Sequence, residues 1–137
     1  MLEDPLAAAC VVLSTFACSG GDDSGEDSTI GPPPADATIS TNEWRSGPAA
    51  LSFPAGTQVT IDLRNDGRIL HEWTLLQERI DTGQDYRDEL VIATRSVPAG
   101  AIETISFTVP AAGVYQFIGP IPGHFSQGMS GALTATP

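Results

Sequence analysis

Residues 115–131 read YQFIGPIPGHFSQGMSG, and this stretch decides the fold. Tyr115, Phe117 and position 119 fall in one phase of a period-two alternation, as a strand with one buried face requires. The alternation then stops at Gly119-Pro120 and gives way to a loop punctuated by Pro122-Gly123, Gly128 and Gly131. Within that loop stand His124 and Met129, a nitrogen donor and a thioether at the end of a strand.

Working outward, the same period recurs. Leu51 and Phe53 flank Ser52, and Val59, Ile61 and Leu63 alternate with Gln58, Thr60 and Asp62. His71, Trp73 and Leu75 share one face of a further run, and Ile105, Phe107 and Val109 share one face of another. Turn signals separate the runs at Pro54-Ala55-Gly56, Asn65-Asp66-Gly67, Pro98-Ala99-Gly100 and Pro110-Ala111-Ala112-Gly113. Short alternating strands at this spacing predict an all-β fold, an antiparallel Greek-key sandwich of seven or eight strands spanning residues 39–137. Residues 78–97 are polar and irregular, and are expected to hold a short helix or a lid.

The C-terminal segment resembles the ligand loop of the cupredoxins, in which an aromatic-x-aromatic strand leads to a cysteine, a Pro-Gly-His turn and Gly-Met-x-Gly. The earlier stretch Asn65-Asp66-Gly67-Arg68-Ile69-Leu70-His71-Glu72-Trp73 resembles the strand that carries that family's other histidine. Phe53-Pro54-Ala55-Gly56 and the strand after it match the family's layout upstream. The resemblance implies copper, held by His71, His124 and Met129. Two imidazoles and a thiolate with a weak axial methionine form the trigonal set of a blue-copper site. Here the cysteine position is occupied by Gly119, which is expected to face the interior and leave a gap. The set that is left is neutral and soft, suited to copper(I), or to copper(II) with an outside ligand. Taken singly, His71 and Met129 read better as core residues and the glycines as turn residues. Their joint order and spacing favours the metal.

Both cysteines, Cys10 and Cys18, lie far upstream of these motifs. Residues 6–17 are mostly apolar, too short to span a bilayer but of the length of a signal-peptide h-region. Phe16-Ala17-Cys18-Ser19-Gly20 resembles a bacterial lipobox, so residues 1–18 are expected to be a signal peptide, with Cys18 the lipidated residue. Met-Leu-Glu-Asp-Pro lacks the positive charge such a leader carries. Residues 19–38, SGGDDSGEDSTIGPPPADAT, have little to bury and are expected to form an acidic, proline-containing tether.

The formal charge is −11, and the ten acids and six arginines of residues 39–137 leave that part at −4. With no basic stripe to neutralise phosphates, nucleic acid is excluded as a partner. Asp81, Asp85, Asp88 and Glu89, interspersed with Arg79 and Arg87, read as a solvated loop rather than a docking patch. With two histidines and no thiol in the domain, no Ser/His/Asp or Cys/His set is available, and no enzymatic activity is expected. The expectation is an exported, lipid-anchored copper-binding protein of the periplasm or the extracellular face of a bacterial membrane, serving copper handling or electron transfer with a redox or copper-transfer partner. The alternative is a metal-free cupredoxin-like module with a structural or recognition role.

Overall fold

The computed structural model describes residues 34–137. The expected signal peptide and lipobox, and the expected tether as far as residue 33, lie outside the described residues. Nine strands make two sheets. They are β1 (Ala37–Asn42), β2 (Arg45–Gly47), β3 (Ala50–Pro54), β4 (Gln58–Asn65), β5 (His71–Leu76), β6 (Val91–Val97), β7 (Ile102–Thr108), β8 (Gly113–Ile118) and β9 (Ser130–Thr136). The first sheet runs β2-β1-β4-β7 and the second β3-β9-β8-β5-β6. The chain therefore crosses between sheets at β2–β3, β3–β4, β4–β5, β6–β7 and β7–β8.

In β4 and β7 the alternation read from the sequence is the burial pattern, while in β5 and β8 Thr74, Leu76 and Ile118 are buried on the other face as well. Val59, Ile61 and Leu63 of β4, Ile105 and Phe107 of β7, Trp73 and Leu75 of β5, Phe117 of β8 and Leu133 of β9 meet between the sheets. Each such side chain contributes about 1.5–3 kcal/mol by leaving water. The Trp73 ring lies 5.9 Å from that of Phe107 and 5.5 Å from that of Phe117, joining the two layers.

Gly131 is not a turn residue: it pairs with Phe117 across β8 and β9. A Cβ there would lie 2.1 Å from the Phe117 ring and 2.5 Å from the Ala49 carbonyl oxygen, so only glycine lets the ring pass.

The expected all-β sandwich is what forms, and it differs from the expectation in two details. The described residues hold nine strands rather than seven or eight, because β2 is a three-residue hairpin partner of β1 and β6 lies in the stretch expected to be irregular. The sheets are mixed, because β1 runs parallel to β4 and β3 parallel to β9. Hydrophobic period reports which face is buried but not which neighbour a strand takes.

The first strand also starts before residue 39. Ala37 pairs with Ile61 and Thr38 with Asp62, while the Asp36 carboxylate accepts a 2.7 Å hydrogen bond from the Thr60 N–H. Backbone pairing to β4 orders a segment whose side chains are too polar to mark it.

Candidate metal centre

The site is built where β4 crosses to β5. Asn65 ends β4 and is only 1% exposed. Its amide nitrogen donates to the carbonyl oxygens of Ile69, 2.7 Å away, and Val97, 2.8 Å away. Its amide oxygen accepts from the Gly67 N–H at 2.9 Å. One side chain thus closes residues 66–70 into a fixed turn and ties that turn to β6, where Val97 is the partner of His71. The first residue of β5, His71, is left facing inward, 1% exposed, on the face shared by Trp73 and Leu75.

The second half of the site comes from residues 119–129. Past the end of β8, Gly119 continues the ladder by donating its N–H to the Met129 carbonyl oxygen at 2.9 Å. His124 enters a short 3-10 turn, Phe125–Gln127, which Gly128 closes at φ 103°. The His124 carbonyl oxygen accepts from the Gln127 and Met129 N–H groups, both at 3.2 Å. These bonds turn both side chains inward, leaving His124 5% and Met129 1% exposed. The His71 and His124 rings lie 5.0 Å apart between centroids and tilt by 54°. A Cβ placed on Gly119 would stand 3.3 Å from the Cβ atoms of His124 and Met129 and 3.4 Å from the Met129 sulfur. Position 119 therefore does face the site, but the gap expected there is narrow: its neighbours close in to tight van der Waals contact.

The two imidazoles differ from the buried Thr41, Asn65 and Thr74, whose side chains are all hydrogen-bonded. Four buried side-chain nitrogen or oxygen atoms lack a hydrogen-bond partner among the described residues. Three of them are His71 Nδ1, His71 Nε2 and His124 Nδ1, and the fourth is Trp73 Nε1 in the core. Burial pushes the His71 pKa below its ordinary 6.5, the neighbouring His124 lowers it further, and the Glu43 carboxylate opposes the shift. Burial likewise lowers His124. Both rings are thus held neutral at pH 7, with lone pairs available. No group of three or more His, Cys, Asp or Glu among the described residues is placed to hold a metal ion. Beside the two imidazoles, the Met129 thioether next to position 119 is a further soft donor at this point. The donor set fits a soft ion, because neutral imidazole and thioether both suit copper(I).

Residues 78–90 lie against the opposite side of the ligand loop. Ile80 is buried with Leu76 and Ile118, and Tyr86, Leu90 and Phe125 are packed on that small cluster. The expected helix is two 3-10 turns, Gly83–Asp85 and Asp88–Leu90. The Asp85 carboxylate caps the first by accepting from the Thr82 N–H and hydroxyl. Arg79 and Asp81, 3.7 Å apart, are almost wholly exposed, as a solvated loop requires. A cleft of about 620 Å³ opens between Thr82–Tyr86 and the prolines of the ligand loop, and neither histidine lines it.

Two residues that the period-two reading does not single out reach the site from the β1–β2 turn. The Trp44 ring meets His124 edge-on at 5.4 Å, and the Glu43 carboxylate accepts from the Arg68 N–H. Their only mark in the sequence is a lone tryptophan inside a polar turn, Asn42-Glu43-Trp44-Arg45.

No protein-family model matches the chain. Auracyanin-B of Chloroflexus aurantiacus is 32% identical over an alignment of 123 residues that covers 71% of this chain and 52% of the relative. The chain thus spans about half the length of that curated relative. The reduced auracyanin of Roseiflexus castenholzii superposes with a TM-score of 0.66 at 25% identity, over 74% of this chain and 96% of the other. Auracyanin A of Chloroflexus aurantiacus, a "blue" copper protein, shares the fold with a TM-score of 0.60 at 23% identity, over 72% and 99% of the two chains. Sequence likeness, two-sheet topology and the order of the motifs agree: the chain belongs to the cupredoxin family.

Proposed function

We propose that this protein binds one copper ion through His71, His124 and Met129, with Gly119 standing at the family's cysteine position. The observation that carries the reading is the pair of adjoining buried imidazoles with three unpartnered ring nitrogens. A buried polar atom left unpaired costs about 1–3 kcal/mol, a penalty that a metal bond removes. When bound, copper supplies a one-electron couple or a transferable copper(I) ion.

The chain's own residues do the rest. Asn65 fixes the turn that presents His71, and the 3-10 turn with its bonds to the His124 carbonyl oxygen presents His124 and Met129. Burial keeps the two rings deprotonated, the form in which imidazole binds a metal. Residues 34–137 contain no cysteine, so no thiolate from the domain enters the set. Without that anionic ligand the site prefers copper(I), and copper handling is favoured over rapid electron shuttling. Such a protein is a carrier rather than an enzyme. Its partner is a protein that delivers or accepts copper or an electron. The apolar run before Cys18 supports export and a lipid anchor at the outer face of the membrane.

A second reading, a metal-free module, draws on the closeness of His124 and Met129 to position 119, which narrows the fourth coordination position. Titration separates the two. The full chain carrying Cys10→Ser and Cys18→Ser, so that no thiol competes, is titrated with copper(I) and copper(II) beside the same chain with His71→Ala and His124→Ala. One equivalent bound by the first and lost in the second supports the copper site. Binding by neither leaves the domain as a scaffold.

A further inference from the structure

Among the described residues, the tryptophan at the tip of the β1–β2 hairpin is out of keeping with its surroundings. Trp44 has φ 69°, the one positive φ at a residue other than glycine. A bulky side chain there is strained by about 1–3 kcal/mol, which the surrounding structure must offset. The residue is 41% exposed, yet its indole rests edge-on against His124, which is only 5% exposed. A large apolar ring held in water in a strained conformation, against a histidine with an unpartnered nitrogen, is costly unless the contact matters.

The tip is also fastened. Glu43 accepts a hydrogen bond from the Arg68 N–H, which holds its carboxyl below the usual carboxylate range. The Asp66 N–H donates to the Thr41 carbonyl oxygen at 2.8 Å. Gly67 leaves the room this needs, since a Cβ there would lie 2.8 Å from Glu43 Oε1. On the far side the Trp44 carbonyl oxygen passes 3.9 Å from where a Gly128 Cβ would stand. The hairpin tip is thus strapped across the two loops that supply His71 and His124.

We propose that Trp44 is the cover of the metal centre and Glu43 its latch, so that ions and small ligands reach His124 by displacement of the β1–β2 tip. What passes beneath the cover rests on the copper reading above; the cover itself does not. With the latch made, the indole excludes water and outside ligands from His124 and slows the loss of copper(I). With it open, a partner or chelator gains the ion.

The test begins with the metal-free full chain at neutral pH. Diethyl pyrocarbonate modification of each histidine is timed by peptide mass spectrometry. In Trp44→Ala, His124 is expected to react about tenfold faster, as a covered group opened to solvent does, while His71 keeps its rate. Trp44→Phe stays near the native rate, and Ile102→Ala, a change at an exposed residue of β7, leaves both histidines unchanged. Glu43→Ala gives an intermediate rise. An unaltered His124 rate in folded Trp44→Ala overturns the proposal. So does equal acceleration of His71 and His124, which signals general loosening. Should Trp44→Ala not fold, an unaltered His124 rate in Glu43→Ala overturns it instead. A second arm times copper(I) removal by a chelator from the cysteine-free chain and expects the same ranking of variants. If the first arm succeeds and no variant binds copper, the cover stands and the copper reading falls.

Discussion

Asn65 and His71 are six positions apart, each 1% exposed, and they treat burial in opposite ways. Asn65 spends both amide N–H donors and its oxygen on backbone groups within 2.9 Å. His71 has no partner on either ring nitrogen, and its neighbour His124 has none on Nδ1. A folded chain satisfies the buried polar groups that hold it together. Two imidazoles left unsatisfied beside one another are the basis on which the copper site is proposed. Asn65 is structure, and the histidine pair is where the proposed ligand would act.

Loss of the ligands gives the largest expected effect. His71→Ala with His124→Ala lowers copper affinity by more than about 100-fold, beyond what loss of a supporting residue produces, in competition with a chelator. The contrasting change, Asn65→Ala, strands the Ile69 and Val97 carbonyl oxygens and the Gly67 N–H. Denaturant unfolding of the metal-free protein should show it less stable by about 3 kcal/mol. His71→Leu, which removes two unpaired nitrogens without opening a large cavity, should fall within about 1 kcal/mol of the native protein. If these two stabilities come out alike, the contrast between the residues is lost.

Gly119→Cys sharpens the same contrast by restoring an anionic ligand. The copper(II)-loaded variant should become strongly coloured. Its metal-free form should be less stable by about 1 kcal/mol, because His124 and Met129 must yield a few tenths of an ångström to the new Cβ. A folded variant that binds copper and stays pale would show that position 119 does not point into the donor set.

The smallest effect is on pH. Both histidines have folded pKa values below their ordinary 6.5, so the unfolded chain takes up protons first as the pH falls. The stability they leave intact is fully present above pH 6.5 and declines below it, through the depressed folded values. Urea midpoints followed from about pH 8 to pH 5 should fall for the native metal-free chain more than for His71→Leu/His124→Leu.

How much of this the sequence shows depends on how local the signal is. The faces of β4, β5, β7 and β8 are legible because Val59-Ile61-Leu63, Trp73-Leu75, Ile105-Phe107 and Tyr115-Phe117 alternate without interruption. β6 is not: Val91, Ile92 and Ala93 are all half-buried in succession, since the strand lies at a sheet edge, and the alternation never starts. The parallel pairing of β1 with β4 depends on contacts across more than twenty residues, which no local period records. At the site, His71, His124 and Met129 are legible through motif order. Asn65 is readable as a turn residue but not as the clamp on Ile69 and Val97, whose carbonyls come from a turn and an edge strand. Trp44 and Glu43 are illegible because their importance lies wholly in what the fold sets beside them.

The most direct test of the central claim is copper K-edge X-ray absorption on the copper(I)-loaded chain with Cys10→Ser and Cys18→Ser, compared with the same chain bearing Met129→Leu. The account predicts two imidazole nitrogens and one thioether sulfur around copper, the sulfur vanishing in the leucine variant while both imidazoles stay. A coordination sphere without imidazole, or one that Met129→Leu leaves unchanged, would contradict it.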